Sequence, residues 1–544
     1  MRLGAYQLEA VLGDGATGVV WRASFGGETV AIKLLRRNLA EEFAQSLSRE
    51  VHALAALDHP NIVSVIDFDH VRADEATDRI FEGQPYVVFE YGSRGSLDDY
   101  LRGGPQISWP WVRSMLMGTL DALAHAHARD FIHRDLKPGN IIGFDRPAGW
   151  KLADFGLAFL RGEADQHKVF GTPQFMAPEQ FHGQAYLFGP HTDLYALGCM
   201  AYLLVCGRLP FAGPNLLALA NAHLSAPMPE LTPQFVVPEG FSTWVETMLA
   251  KNPRDRFELA ADAAAALDRL PSVGQRDRVS SEMFEISMET VALSLMGTQI
   301  SEDQTLDFGE AAVVDPPSVG SRPAAAPQPS TWRKPTTVGL NPLLNASPRL
   351  FALRAHDLIG RDVELDRLWT LLVRVRRARQ VRSAVITGPE GSGKTHLARW
   401  FATRAAETGS SNVFVLGSSP KASILRHARL DHYPAARQAD LLATLAEELD
   451  VPELIHLDRR CGVSRSAGFG AGRIVLIDNI QNHPIGQHLL EQLLAVNSTL
   501  PVPILVVATQ GSVANDELRN WMKGADEVVL RNQTFQRWSL SRRA

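Results

Sequence analysis

The stretch from Pro316 to Pro335, PPSVGSRPAAAPQPSTWRKP, divides this chain. Proline fixes φ and removes a backbone donor. A run of Pro, Ala and Ser with few large apolar side chains cannot bury enough surface to offset the entropy of ordering it. It reads as part of a linker over 271–350 that is rich in Pro, Ser, Thr and Ala. The 544 residues must then fold as separate bodies, as their length already demands at roughly 100–200 residues per domain. Residues 1–270 alternate strand-like and helix-like patterns. Residues 351–544 resume a βα pattern, with apolar runs at Ala384–Thr387, Ile474–Ile477 and Ile504–Ala508. Short β-rich runs between helical stretches predict parallel strands with crossovers. Inside the linker, Phe284, Met288, Val291 and Leu295 share one stripe of a helix running from Ser280 or Ser281 to Gly297. That segment is a docking helix, a small helix packed on a neighbouring domain, or a partly disordered stretch.

Composition narrows the class. Hydrophobic residues are 45% and charged residues 21%, an ordinary globular balance. Lys+Arg 54 against Asp+Glu 60 leaves a net charge of −6, which argues against a protein built to hold nucleic acid by its phosphates. Three cysteines, Cys199, Cys206 and Cys461, cannot form a disulfide scaffold, and they fit a reducing compartment. No signal pattern opens the chain, and the longest apolar run, Tyr195–Cys206, is too short to cross a bilayer. A cytoplasmic protein without membrane contact is expected.

Gly13-Asp14-Gly15-Ala16-Thr17-Gly18-Val19-Val20 follows the apolar strand ending at Leu12, and two more strand-like runs follow it. Glycines at these spacings let a hairpin's backbone close over phosphates. The run Val30-Ala31-Ile32 ends in Lys33, a cation that is costly to bury unless paired. Its expected partners are the ATP phosphates and Glu50, which lies in a helical stretch. Downstream stand His133-Arg134-Asp135-Leu136-Lys137-Pro138-Gly139-Asn140 and then Asp154-Phe155-Gly156. In phosphoryl transfer, Asp135 would orient the acceptor hydroxyl and take its proton, and Lys137 would neutralise developing charge. Asn140 and Asp154 would hold Mg²⁺.

Together these motifs resemble the eukaryotic-like Ser/Thr protein kinases of bacteria, over about residues 6–270. The resemblance extends through Gly171-Thr172-Pro173, Ala177-Pro178-Glu179, Asp193 and Arg256. It implies a bilobal α+β kinase fold, with a small β lobe to about residue 91 and a helical lobe after it. It also implies that Glu90 and Gly92 lie on a hinge meeting adenine, with Phe89 as gatekeeper. By the same resemblance Glu179 pairs with Arg256, Asp193 braces the catalytic loop, and Thr172 hydrogen-bonds near Asp135 and Lys137. Lys137 and Thr172 match the Ser/Thr branch. The segment between Gly156 and Gly171 has no Ser, Thr or Tyr. Glu163 or Asp165 is therefore expected to pair with Arg134 in place of a phosphate; the alternative leaves Arg134 unpaired.

The second body carries Gly388-Pro389-Glu390-Gly391-Ser392-Gly393-Lys394-Thr395 between a strand and a helix. This is a full phosphate-binding loop, with Lys394 reaching the β/γ oxygens and Thr395 holding Mg²⁺. Asp478 ends a strand and fits the second metal-orienting position. With Gly360-Arg361-Asp362 upstream, the region resembles AAA-type and STAND ATPases over about 356–530, an α/β P-loop fold with a mainly parallel sheet. Thr509 aligns with the sensor strand. Asn479 stands where an acid is usual, and a neutral amide cannot act as a base for water. No helical lid follows in the sequence. Nucleotide binding is expected there, and turnover stays open. The cluster Arg374, Arg376, Arg377, Arg379 and Arg382 has no interleaved aromatics and reads as a solvated helix face. His125 and His127 lack metal-ligand company.

The expected activity is transfer of the ATP γ-phosphate, with Mg²⁺, to Ser/Thr hydroxyls of protein substrates. A signalling partner at the linker or C-terminal domain is a further expectation. The alternative is a nucleotide-dependent switch or scaffold of weak catalysis.

Overall fold

The computed structural model describes residues 1–15, 18–36, 57–77, 80–129, 131–145, 149–155, 171–181, 188–273, 323–333, 358, 360–378, 381–416, 472–477, 504–510 and 526–529. Strands β1 (Arg2–Leu3), β2 (Tyr6–Asp14), β3 (Gly18–Phe25), β4 (Glu28–Leu35), β5 (Val65–His70) and β6 (Pro85–Glu90) form one antiparallel sheet, ordered β1-β2-β3-β4-β6-β5. Val30, Ile32 and Leu34 of β4 bury their side chains with Ala23, Tyr86 and Val88. Alternation along the strand puts Lys33 on the other face, yet it too is only 5% exposed.

The larger lobe is helical: α1 (Leu97–Arg102), α2 (Trp109–His127), α3 (Pro178–Phe181), α4 (Pro190–Cys206), α5 (Leu216–Ser225), α6 (Phe241–Met248) and α7 (Ala260–Asp268). Ser96 caps α1. Its hydroxyl accepts the Asp99 N–H at 3.1 Å, and the Asp99 carboxylate accepts the Ser96 N–H at 3.1 Å. Proline at the first turn starts α4, and Gly207 at φ 66° stops it. All of α4 but His191 is buried. A helix apolar all round belongs in a core, and α2 and α6 pack against it, with α7 packed on both of them, to build that core. Cys199 and Cys206 are core thiols, and burial pushes Cys199 up to about 12, which makes it inert. A two-stranded ribbon, β7 (Ile141–Gly143) and β8 (Trp150–Leu152), lies between α2 and α3 in the chain.

A third sheet is wholly parallel, ordered β10-β11-β12-β9-β13. Its strands are β9 (Val381–Thr387), β10 (Ser411–Leu416), β11 (Gly472–Ile477), β12 (Ile504–Thr509) and β13 (Asp526–Val529). All six residues of β12 are buried, as expected of a parallel strand covered on both faces. Helices α8 (Asp362–Ala378) and α9 (Lys394–Glu407) cover it, with Leu368, Trp369 and Leu372 of α8 meeting Leu397 and Phe401 of α9. No helix among the described residues is long and apolar enough to cross a membrane.

Residues 323–333, inside the stretch read as linker, are packed. Ala326 is 5% exposed. The Trp332 ring stands edge-on to Trp400 at 5.3 Å, Trp369 Nε1 donates to the Pro329 carbonyl at 3.0 Å, and Arg404 Nε donates to the Trp332 carbonyl at 2.7 Å. A Pro-rich run keeps its carbonyls while losing N–H groups. Side-chain donors from α8 and α9 can therefore hold it without secondary structure of its own. Arg376 joins them, reaching Gln328 Oε1 at 2.8 Å, whereas Arg374 and Arg377 are exposed. The stripe Phe284–Leu295 lies outside the described residues.

Inside the helical lobe, Glu179 receives two hydrogen bonds from Arg256, at 2.9 and 3.0 Å, with both side chains buried. Burial works to raise the Glu179 pKa, but Arg256 and His191 outweigh it and hold the carboxyl below its ordinary value. Breaking one side of a buried pair strands the other charge. Arg256→Ala should therefore cost about 3–5 kcal/mol of unfolding free energy. Urea titration of the two proteins checks this, and a loss under about 1 kcal/mol would place the pair among weak surface bridges.

Candidate active site

The cleft edge is the β2–β3 hairpin. Gly13 pairs with Val20 and Asp14 with Val19. At Gly18 a Cβ would stand 2.1 Å from the Leu34 carbonyl oxygen, so only glycine lets β3 lie this close to β4. Arg36 fastens the hairpin's tip, donating to Asp14 Oδ1 at 2.7 Å and to the Gly15 carbonyl at 3.0 Å. Leu12 is 47% exposed, Val19, Val20 and Ala31 are half-buried, and Ala16 and Thr17 lie outside the described residues.

Val20 sits opposite Lys33 across β3–β4, and Lys33 opposite Val87 across β4–β6. The ammonium donates to Asp154 Oδ1 at 2.7 Å. Glu50, the carboxylate expected for it from sequence, lies outside the described residues. Burial works to raise the Asp154 pKa, but Lys33, with His133 and Lys137 behind it, holds the carboxyl below its ordinary value. Glu90 ends β6. Its carboxylate accepts from Lys151 Nζ at 2.7 and 2.8 Å and from the Ser64 N–H at 2.7 Å. Lys151 thereby ties the hinge strand to β8, which leads into Asp154. Gly92 follows the hinge beside Ile142, and Phe89 is half-buried.

The loop between α2 and β7 carries the residues expected to react, Asp135 and Lys137. Arg134 and Asp154 are the described non-glycine residues with positive φ, at 64° and 61°. Such backbone costs of order 1–3 kcal/mol and persists where its surroundings over-determine it. Asp193 on α4 supplies that constraint. Its two oxygens accept the His133 and Arg134 N–H groups, each at 2.8 Å, and His127 Nε2 at 2.7 Å. His133 Nε2–H in turn donates to the Ala153 carbonyl at 2.8 Å, and its ring meets Phe155 at 4.9 Å. This connects the loop to the segment bearing Asp154.

Asp135, Lys137 and Thr172 form a closed triangle. Lys137 Nζ donates to Asp135 Oδ2 at 2.7 Å and to Thr172 Oγ1 at 2.9 Å, and the Thr172 hydroxyl donates to Asp135 Oδ1 at 2.7 Å. Asn140, only 7% exposed, donates to the Asp135 carbonyl at 2.7 Å. Its backbone carbonyl accepts the Ala153 N–H at 2.8 Å, so the two segments with the oxygen donors Asn140 and Asp154 are hydrogen-bonded together. Such a donor set suits Mg²⁺, which keeps waters and phosphate oxygens and needs only one or two protein ligands. Glu163 and Asp165 lie outside the described residues. Arg134 stands 5.4 Å from the Phe188 ring centre.

The second site lies where β9 meets α9. Gly391 and Gly393 have φ of 75° and 87°, and Gly393 begins α9 in a left-handed conformation that a side chain would strain. Lys394 Nζ donates to the carbonyls of Gly388 and Pro389, at 3.0 and 2.8 Å. Arg361 of the upstream motif donates to the Ser392 carbonyl at 2.9 Å. Ser392 Oγ is buried without a hydrogen-bond partner among the described residues. Glycine-relaxed backbone, an unspent hydroxyl and a helix N-terminus fit a phosphate group. Thr395 opens α9, and Thr509 ends β12 beside Ile386 of β9. Asp478 and Asn479 lie outside the described residues.

Comparison with known proteins agrees with this division. Residues 6–266 match the protein kinase domain family and residues 357–507 the AAA ATPase domain family. The chain is thus similar to protein kinase domains over residues 6–266 and to AAA ATPase domains over residues 357–507. It is 33% identical over 355 residues to a probable serine/threonine-protein kinase of Corynebacterium efficiens, covering 61% of this chain and 52% of that protein. It is 35% identical over 276 residues to the serine/threonine-protein kinase PknA of Mycobacterium tuberculosis, covering 48% and 61%. It is 31% identical over 293 residues to the serine/threonine-protein kinase PrkC of Bacillus subtilis, covering 52% and 42%. The chain spans less than two thirds of each of these relatives.

Sequence reasoning passed over Lys151, His127, Arg36 and the role of Arg361. Lys151 looks like any exposed strand lysine, because its partner Glu90 is 61 residues away. Asp193 yields a prediction. Burial works to raise its pKa, but the hydrogen bond and charge of His127, with His133, hold it below its ordinary value. Its contribution is therefore present above roughly pH 4 and lost as pH falls through the folded value. Asp193→Asn should lower stability at neutral pH. Below about pH 4 it should flatten the fall by up to about 1.4 kcal/mol per pH unit. Urea unfolding from pH 2 to 7 reads both, and parallel curves would remove the acid linkage from Asp193.

Proposed function

We propose that the chain is a Mg²⁺-dependent serine/threonine protein kinase over residues 1–270, joined through residues 271–350 to a nucleotide-binding P-loop domain over 351–544. The Asp135–Lys137–Thr172 triangle carries this reading. The Asp135 carboxylate orients an acceptor hydroxyl and takes its proton as that oxygen bonds to the γ-phosphorus of ATP, and the bond to the ADP oxygen breaks. Lys137 neutralises charge spreading over the transferred group, and Thr172 holds both in register. Positioning and charge neutralisation are the main effects in such transfers. The residues between Leu12 and Val20 cover the phosphates, Lys33 reaches the α/β oxygens, and the backbone at Glu90 and Gly92 meets adenine. Asn140 and Asp154 would hold the metal, which would neutralise charge on the phosphate oxygens.

Protein Ser/Thr hydroxyls are the acceptors on this reading, because Lys137 after Asp135 and Thr172 between Gly171 and Pro173 match the Ser/Thr branch. In the second domain, Gly388–Thr395 holds nucleotide, with Thr395 and Asp478 toward a metal. A signalling role and a cytoplasmic site fit the few cysteines, the mild net charge and the absence of a spanning helix among the described residues.

Mass spectrometry after incubation with ATP and Mg²⁺ tests the proposal. Phosphate should appear on Ser or Thr of the wild type or of an added protein, and Asp135→Asn should reduce its rate by about 10²–10⁴-fold. Equal labelling of both proteins, or none on either, would leave the nucleotide-dependent switch as the better account. Thr172→Val removes one hydroxyl at nearly constant volume. It should lower kcat for peptide phosphorylation by about 10–100-fold with KM for ATP almost unchanged, because it loosens Asp135 without touching nucleotide contacts. An unchanged kcat would remove Thr172 from the reacting geometry.

A further inference from the structure

Helix α9 starts at the P-loop and ends on the back of the kinase lobe. Its 14 residues span about 20 Å at about 1.5 Å per residue. At its last residue the Glu407 side chain is 6% exposed. Oε1 accepts His125 Nδ1–H at 2.7 Å and Arg129 Nη1–H at 2.8 Å, and Oε2 accepts Arg404 Nη1–H at 2.8 Å. His125 and Arg129 lie at the end of α2 and just beyond it. Burial pushes His125 down to about 3, against the pull of Glu407, so the ring is neutral and Nδ1 carries its proton. A buried carboxylate met from both domains is a made contact. It is costly to leave half-satisfied.

The turn after α9 completes the joint. A Cβ on Gly409 would stand 2.9 Å from Ala326 Cβ and 3.0 Å from Ala261 Cβ. Backbone from the P-loop domain, residues 323–333 and α7 therefore meet at one point. Asp262 of α7, 2% exposed, accepts the Ala326 N–H at 2.5 Å and the Leu259 N–H at 3.2 Å.

From this joint a continuous set of contacts leads into the kinase cleft. The His125 ring lies 5.0 Å from the His59 ring. His59 Nδ1 accepts the Asn61 N–H at 3.2 Å. Asn61 Nδ2 donates to the Trp150 carbonyl at 3.3 Å, and its own carbonyl accepts the Leu152 N–H at 2.8 Å. Leu152 ends β8, two positions before Asp154. At the other end of α9, Lys394 rests on the Gly388 and Pro389 carbonyls. A phosphate group would draw its ammonium off those carbonyls. A helix that starts at the P-loop and ends in a buried clasp on α2 gives a contiguous route by which the two sites can be coupled.

We propose that α9 and the Glu407–His125–Arg129 clasp make the kinase cleft sense whether the P-loop holds a nucleoside triphosphate. This rests on the reading that Gly388–Thr395 binds nucleotide. The test uses the full chain and four proteins: wild type, Lys394→Ala, Glu407→Ala and the double variant. Titration with a fluorescent ATP analogue and Mg²⁺ counts sites, and peptide phosphorylation gives kcat/KM. Lys394→Ala should reduce the stoichiometry from about two to about one, and should shift kcat/KM by at least about fivefold in the wild-type background. In the Glu407→Ala background the same substitution should shift it less than about twofold. If Lys394→Ala leaves the stoichiometry unchanged, the nucleotide reading itself fails and the proposal falls with it. If the stoichiometry drops but kcat/KM moves equally in both backgrounds, or in neither, nucleotide binds without being sensed through the clasp. Should Glu407→Ala fail to fold, Arg129→Ala, on the half-exposed partner, takes its place in the same cycle.

Discussion

Asp193 is a carboxylate inside the helical lobe, and the loop bearing Asp135 is arranged on it. Its oxygens accept two consecutive backbone N–H groups and an imidazole. Those bonds hold Arg134 in left-handed backbone that a loop in water would leave. With His133 and Arg134 so placed, the turn presents Asp135 toward Lys137 and Thr172, and His133 reaches the Ala153 carbonyl beside Asp154. A buried charge could not persist without those partners. The same bonds that satisfy Asp193 therefore orient the loop. The scaffold for this is α4, buried along nearly its whole length.

The other charges near the cleft repeat that logic. Glu90 is met by Lys151 and Ser64, Lys33 by Asp154, and Glu179 by Arg256. Each pair links elements far apart in the chain, and each would be costly to break from one side. Salt bridges of this kind add little net stability. They fix which strand lies against which loop, and here that decides where Asp135, Asn140 and Asp154 come together. The parallel sheet of the second domain is held differently, by apolar strands such as β12 covered on both faces. Its site is a matter of backbone shape, set by glycines at the start of α9.

Much of this was legible from residues alone. The hairpin glycines, Lys33, the Asp135–Asn140 loop, Asp154 and the Gly388–Thr395 loop are contiguous or nearly so, and their chemistry is written in short spacings. The resemblance to bacterial Ser/Thr kinases also brought in Thr172, Glu179, Asp193 and Arg256. Lys151 and His127 left no such trace, and Arg361 stood in its motif without a partner assigned. Each is an ordinary polar residue locally and takes its role from a partner on another element. Residues 323–333 were read from composition as unable to pack. They do pack, because donors on α8 and α9 and the Trp332–Trp400 contact supply what the run lacks itself.

By itself, then, the sequence determined the two fold classes and which short motifs are candidates to meet phosphate. Hydrophobic periodicity and short motifs act over a few residues and survive without a partner. Only the tertiary structure decided what each charged group faces: Lys33 on Asp154, Asp193 under the loop bearing Asp135, and Glu407 of the P-loop domain against His125 and Arg129 of the kinase lobe. Those pairings join residues separated by 121, 60, 282 and 278 positions. A buried charge is stable only beside its counterpart, and no local rule of spacing says which distant residue the fold will bring to it.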